Sequence, residues 1–114
     1  MIGGPRRGEA VRRTEQEIAA EKAAALGRAG ERVEHALADA RRAAQRLLEA
    51  RGAAETGQRA EDYKAARARA LDARLGLLIQ REALGLRRHG PVDQQFPEPP
   101  PLTAVLRQKE APTA

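Results

Sequence analysis

The segment that most constrains the fold is residues 71–86, LDARLGLLIQREALGL, which holds the densest group of large apolar side chains in the sequence. On a helix, spacings of three and four residues divide these side chains between two faces. One face would carry Leu71, Leu75 and Leu78, and the nearly opposite face would carry Leu77 and Leu84. A single neighbouring helix can cover only one of them. The sequence therefore predicts that another structural element covers the second face.

A first long helix is predicted upstream of this segment. Thr14 followed by Glu17 forms a capping-box pattern, which predicts a helix start at Thr14. Apolar and small residues then recur at alternating spacings of three and four, as in a coiled-coil seam. The seam comprises Leu26, Gly30, Val33, Leu37, Ala40, Ala44, Leu47 and Arg51. Its many alanines would let a second helix approach closely.

Glycines set the predicted boundaries of the second helix. Gly52 and Gly57 bracket a short segment that predicts a chain reversal, so the two helices are expected at about 14–51 and 59–85. Gly85 and Gly90 are alternative stop signals, and Gly85 is favoured because Leu86 follows it. At about 1.5 Å per residue, the first helix would be roughly 55 Å long and the second roughly 40 Å. A hairpin would thus leave part of the first helix uncovered.

Both ends of the chain differ in composition from its middle. Residues 1–13 combine three glycines and one proline with four arginines, which predicts a flexible basic arm. Residues 91–114 are proline-rich and predicted to be extended, with one or two helical turns at Leu102–Arg107. Residues 96–102 are expected either to dock in a hydrophobic groove of a partner or to lie across the chain's own bundle.

The expected architecture is all-α: a two-helix antiparallel hairpin, coiled-coil-like, with the helical region spanning residues 14–90. A lone hairpin buries each helix on one side only, so we expect self-association or a partner to complete a helical bundle. The predicted interface residues are Leu71, Leu75, Leu77, Leu78, Ile79, Leu84, Leu86, Leu26, Val33 and Leu37.

The net charge of +5 raises the question of nucleic-acid binding. The excess lies in residues 1–13 and 52–90, each with a net charge of +3, whereas residues 14–51 are neutral. The arginines that would contact phosphates are Arg6, Arg7, Arg12 and Arg13 on the arm and Arg67, Arg74, Arg81 and Arg88 at seven-residue intervals. The alternative, which we favour for the seven-residue stripe, is that its arginines flank a coiled coil and meet acids of the first helix. Stacking aromatics are few, which weakens the nucleic-acid interpretation.

The sequence gives little support for catalysis or metal binding. The sequence contains no cysteine and no serine, so the common nucleophiles and thiolate ligands are missing. His35 has Glu31 and Asp39 one turn away on either side, a pattern typical of an exposed charge network, and His89 is placed at a predicted helix end. We predict no catalytic residue, cofactor or metal, and no enzymatic activity. No apolar run is long enough for a membrane span and no signal peptide is evident, so a cytoplasmic protein is expected.

Two blocks of the sequence resemble a family of short Ala- and Arg-rich bacterial proteins that form a domain of unknown function. The blocks are Glu17–Leu37, EIAAEKAAALGRAGERVEHAL, and Ile79–Val92, IQREALGLRRHGPV. The resemblance implies a bacterial origin and a helical hairpin, and it implies no activity, cofactor or catalytic residue. After the second block the family continues with a short helix, where this chain has Gly90, Pro91 and a run of prolines.

These observations lead to one expected function and one alternative. We expect a small, non-enzymatic interaction or structural protein that acts through oligomerisation or as a subunit docked on a larger protein. The alternative is a small nucleic-acid-associated protein that uses the arginine arm and the helix stripe.

Overall fold

The computed structural model describes residues 7–111, which form four helices and no strand. These are α1 (Arg7–Glu49), α2 (Gly52–Ala83), α3 (Gly90–Gln95) and α4 (Leu102–Glu110). The two long helices pack against each other as an antiparallel hairpin, which confirms the predicted all-α class. None of these four helices has the length and apolar character that crossing a bilayer requires.

The hairpin core follows the predicted alternation of three and four residues. On α1 the buried side chains are Ala29, Val33, Leu37, Ala40, Ala43 and Leu47. On α2 they are Tyr63, Ala66, Ala70, Arg74 and Leu77. Five of these eleven residues are alanine, so the two helix axes can approach each other along the seam. One charged residue, Arg74, lies among them.

The start of α1 differs from the prediction. The helix begins at Arg7, so residues 7–13 are helical rather than part of a flexible arm. The hydroxyl of Thr14 donates to the Ala10 carbonyl oxygen at 3.0 Å, an interaction typical of a threonine inside a helix. The capping-box interpretation was therefore wrong, because no helix breaker separates Gly8 from Thr14. Residues 1–6, the rest of the predicted arm, lie outside the described part of the chain.

The chain reversal is tighter than expected. Ala50 and Arg51 alone connect the two long helices, and Gly57 lies inside α2. Gly52 has a φ of 80°, which glycine adopts without steric cost, so the chain turns directly into the second helix. The Glu55 carboxylate accepts a hydrogen bond from the Arg51 backbone N–H at 2.9 Å. The prediction of a loop at 52–57 was wrong because alanine and glutamate continue a helix readily.

The end of α2 is a Schellman motif. The Leu86 N–H donates to the Arg81 carbonyl oxygen at 2.8 Å, and the Gly85 N–H donates to that of Glu82 at 2.9 Å. Gly85 has a φ of 84°, the left-handed conformation that this motif requires. The helix thus stops at the first of its two stop signals.

The C-terminal segment is more ordered than a proline-rich extended tail. Residues 90–110, which we call the strap, comprise α3, an extended proline segment and α4. The strap runs back along the hairpin and contributes Val92, Phe96 and Val105 to the hydrophobic core. It covers one side of the hairpin, so the chain supplies by itself part of the cover that we expected from a partner.

The N-terminal part of α1 extends beyond the rest of the molecule. Ala83 and Leu84, at the end of α2, lie beside Lys22 and Ala25. Residues 7–21, which we call the overhang, have no helix beside them and are exposed along their whole length. The molecule is accordingly elongated, with extents of 83 × 24 × 20 Å.

Candidate interaction surface

Large apolar side chains are exposed at one end of the molecule. On α2 and just after it, Leu75 is 55% exposed, Ile79 57% and Leu86 43%. On the overhang, Val11 is 51% exposed and Ile18 45%. We call these five residues the end surface. Isolated apolar residues are common on protein surfaces, whereas a group of large ones on adjoining segments is typical of contact sites.

Leu75 and Ile79 point away from the hairpin core. At about 100° per residue, their mean direction is roughly 160° from that of the buried α2 residues. Leu71 and Leu78 border them and are half-buried. The α2 part of the end surface is thus an outward-facing stripe that α1 and the strap leave uncovered.

The predicted interface residues divide into two groups. Four lie on the end surface or border it, namely Leu71, Leu75, Ile79 and Leu86. The other six pack within the single chain. Val33, Leu37 and Leu77 are buried, and Leu26 and Leu78 pack against the same core. Leu84 is half-buried beside Lys22 and Ala25. These six belong to the fold of the single chain, and their assignment to an intermolecular interface is corrected. Both α2 faces satisfied the same spacing rule, and α1 covers the face that contains Leu77.

Val11 and Ile18 were not among the predicted interface residues. Val11 precedes the buried Ala29 by about five helical turns, so it lies on the core-facing side of α1. Ile18 follows Val11 after seven residues, on nearly the same side. The apolar seam of α1 therefore continues into the overhang, beyond the point at which α2 ends. The seven-residue interval was visible in the sequence, but the expected helix start at Thr14 concealed it.

The arginine stripe on α2 binds the chain's own strap. Arg67 Nε donates to the Pro99 carbonyl oxygen at 3.1 Å. The nearly buried Arg74 donates to the Phe96 carbonyl oxygen and to the carboxylates of Asp93 and Glu98. Within residues 7–111, Arg67 and Arg74 thus bind the strap and not the acids of α1, which one prediction expected.

Arg81 continues this pattern at the end of α2. Its guanidinium donates to the Arg88 carbonyl oxygen at 3.2 Å. Its Nε is buried and has no hydrogen-bond partner within residues 7–111. Three of the four stripe arginines are therefore used to hold the C-terminal half of the chain, and only the side chain of Arg88 is fully exposed.

The remaining arginines of the nucleic-acid prediction lie on or near the overhang. Arg7, Arg12 and Arg13 are exposed on the first turns of α1, whereas Arg6 lies outside the described residues. The overhang has an uneven charge distribution, because its first half is basic and its second half, with Glu15, is acidic.

A second set of arginines, missed in the sequence, lines an open groove on another face of the hairpin. Arg28, Arg32 and His35 on α1 face Arg69 on α2 across a groove of about 500 Å³. Glu31 and Asp39 line it as well, so the groove is of mixed charge. No periodicity identified these residues, because they meet only when the two helices pack.

Two titratable side chains, His89 and Tyr63, make contacts between segments of the chain. Within residues 7–111, no group of three or more His, Cys, Asp or Glu side chains could hold a metal ion. His89 Nε2 lies 3.0 Å from a carboxylate oxygen of Glu82 across the end of α2. Burial raises the pKa of the Tyr63 phenol above its usual value of 10.0, and the positive charge of Arg67 opposes this shift. The Tyr63 hydroxyl donates to the Pro100 carbonyl oxygen, so its role is to hold the strap.

Comparison with protein families, with curated proteins and with solved structures finds no match to this chain. The resemblance of two blocks to a family of bacterial proteins therefore stays a prediction, and the functional argument depends on the geometry above.

Proposed function

We propose that the protein is a small, non-enzymatic helical interaction protein whose binding site is the end surface. It acts by contact with another protein chain, either through oligomerisation or as a subunit of a larger assembly. The observation that supports this most directly is the exposure of Leu75 and Ile79 on a helix that already buries Leu77 in its own core.

The energetic argument is one of burial. Covering a fully exposed Leu or Ile side chain contributes about 1.5–3 kcal/mol, so a partner that covers several of them gains enough to offset part of the cost of association. The strap already shields another side of the hairpin, the one that carries Tyr63 and Arg74. The end surface is thus the apolar surface that α1 and the strap leave uncovered.

The test is a comparison of the wild type with the variant Leu75→Lys/Ile79→Lys. Both side chains are exposed, so circular dichroism should show an unchanged helical content. We expect the wild type to exceed the monomer mass of 12.4 kDa in light scattering, or to retain partner proteins on purification from its own cells, and the variant to do neither.

A matched control adds the same two charges elsewhere. Ala65 and Gln108 are exposed and lie away from the end surface, so Ala65→Lys/Gln108→Lys should behave as the wild type does. If wild type, variant and control show the same mass and retain the same proteins, the end surface is not a binding site and the proposal is wrong.

The second candidate function is binding to nucleic acid, and the groove with Arg28, Arg32 and Arg69 is the observation that favours it. These arginines replace the stripe arginines as candidates for phosphate contact. Substituting all three with alanine should weaken retention of DNA or RNA. The slope of log affinity against log salt concentration should become shallower by the equivalent of up to about three phosphate contacts. Retention equal to that of the wild type at every salt concentration would exclude the groove.

A further inference from the structure

We infer that the partner at the end surface is a second copy of this chain, with the overhang of each copy lying on the α2 stripe of the other. This inference depends on the proposed function and names the partner for the same surface. Four observations support it: the position of the two apolar segments, their length, their charges and the continuity of the α1 seam.

The first observation is that two unpartnered apolar segments adjoin each other at one end of the molecule. The overhang begins where α2 ends, near Lys22. A two-fold axis near this point would reverse the second copy, so that its overhang runs alongside the first copy's α2 and the reverse contact forms by symmetry. Such an isologous arrangement covers both segments of both copies at once.

The second observation is the match in length. The overhang spans residues 7–21, roughly 22 Å of helix, and the stretch of α2 from Leu75 to Ala83, roughly 12 Å, together with the turn that carries Leu86 can lie along it. Val11 and Ile18 are seven residues apart, roughly 10 Å along α1, and Leu86 lies past the end of α2, which Ile79 precedes by four residues. Placing Val11 of one copy beside Ile79 of the other also brings Ile18 towards Leu86. It leaves space between the two α2 ends for their Schellman turns.

The third observation is charge complementarity. In the two-fold arrangement each overhang runs parallel to the α2 that it contacts. Its basic first half, with Arg12 and Arg13, then lies beside the exposed Glu82. Its acidic second half, with Glu17, lies beside the exposed Arg87 that follows α2. The reverse direction would place acidic groups near Glu82, so the charges favour the two-fold arrangement and its register.

The fourth observation is the continuity of the apolar seam of α1. Inside the chain this seam packs on α2, and Val11 and Ile18 extend it past the last residue of α2. A second α2 supplied by the partner would lie against the same side of α1. The overhang would thus repeat, between copies, the helix packing that already forms the hairpin.

The experiment mixes two damaged chains. Val11→Lys/Ile18→Lys damages only the overhang, and Leu75→Lys/Ile79→Lys damages only the stripe. Circular dichroism first establishes that each is as helical as the wild type. We expect the wild type to have twice the mass of 12.4 kDa in light scattering and each variant alone to be monomeric.

The mixture is the decisive sample. It retains one intact overhang and one intact stripe, on different chains, so it should form a heterodimer with a dissociation constant at least tenfold weaker than that of the wild type. A contact of overhang with overhang would instead leave Leu75→Lys/Ile79→Lys dimeric on its own, and a contact of stripe with stripe would leave Val11→Lys/Ile18→Lys dimeric on its own, with no heterodimer in the mixture. The control Ala65→Lys/Gln108→Lys should dimerise as the wild type does.

Failure of this dimer arrangement and failure of the proposed function give different results. A wild-type dimer whose two variants do not form a heterodimer overturns this arrangement, while self-association through the end surface stands. A wild-type monomer also overturns the arrangement, and the proposed function is then decided by the partner proteins that the wild type retains and the stripe variant loses. If the wild type and both variants all dimerise, neither segment takes part, and the arrangement is again wrong.

Discussion

The guanidinium of Arg74 on α2 donates to the main-chain carbonyl oxygen of Phe96 in the strap, 22 residues later in the sequence. The same group forms ion pairs with Asp93 and Glu98, which come just before and after Phe96. One side chain of the long hairpin thus fixes the end of α3 and the start of the proline segment together. Lysine, with a single point of charge, could not make these three contacts in one plane.

We expect Arg74→Met to lower the free energy of unfolding by about 2 kcal/mol, because hydrogen bonds to a charged group are lost while the apolar stem is kept. Arg74→Lys should cost less than Arg74→Met. Urea unfolding followed by circular dichroism measures both. Arg42→Met is the control, since the Arg42–Asp39 pair is exposed and should contribute under about 0.5 kcal/mol. Equal stability of the Arg74 and Arg42 variants would contradict the role assigned to Arg74.

The Tyr63 phenol should make stability fall in alkaline solution. Its pKa is raised by burial in the folded chain, so above about pH 10 the unfolded chain loses the proton first. The contribution to stability is complete below pH 10 and is lost as pH rises through the folded-state pKa. Tyr63→Phe removes this dependence and the hydrogen bond to Pro100, and should cost about 1 kcal/mol at neutral pH. Unfolding curves from pH 8 to 11 would refute this if both proteins showed the same slope.

Lys109 should hold the C-terminal end of α4 against the turn of the hairpin. Its ammonium group donates to the carbonyl oxygens of Leu48 at 3.1 Å and Ala50 at 2.6 Å, which are free at the end of α1. Lys109→Met should destabilise the protein by about 1–2 kcal/mol and speed hydrogen exchange in α4 more than in α1. Arg107, which is exposed on the same helix, provides the control variant Arg107→Met. Unchanged exchange in α4 would show that the lysine contacts are dispensable.

Leu75 and Leu77, two residues apart on α2, should respond very differently to the same change. Leu77 is 5% exposed and Leu75 55% exposed. Leu77→Lys places a charge in the core and should cost about 3 kcal/mol or more in stability, whereas Leu75→Lys should change stability by under about 0.5 kcal/mol. Thermal unfolding at a concentration low enough to avoid association measures the difference. Two similar melting temperatures would mean that the core has been assigned to the wrong face of α2.

Sequence periodicity was sufficient to predict the hairpin and its seam. Val33, Leu37 and Leu47 are buried where the spacing of three and four residues placed them. It could not decide which of two apolar faces on α2 is covered, because Leu75 and Leu77 belong to equally good helical patterns. That choice is made by α1 and the strap, through contacts between residues far apart in the sequence.

The position of the strap was predicted only in part, because the sequence left open whether this segment lies across the chain's own bundle or docks on a partner. Its proline-rich composition is typical of an extended, solvated tail. What orders it is the set of hydrogen bonds that Tyr63, Arg67 and Arg74 make to its backbone carbonyls. Carbonyl acceptors have no signature in a sequence, so the arginine stripe indicated a binding surface without indicating that its ligand is the chain itself.

The residues that close the core are synthesised after both long helices. Val92, Phe96 and Val105 reach their places only after α1 and α2 have left the ribosome. Until then the hairpin exposes one apolar side along with the end surface. A chain truncated before Gly90 would keep that side open and become prone to aggregation, so translation through the strap is a condition for a well-folded hairpin.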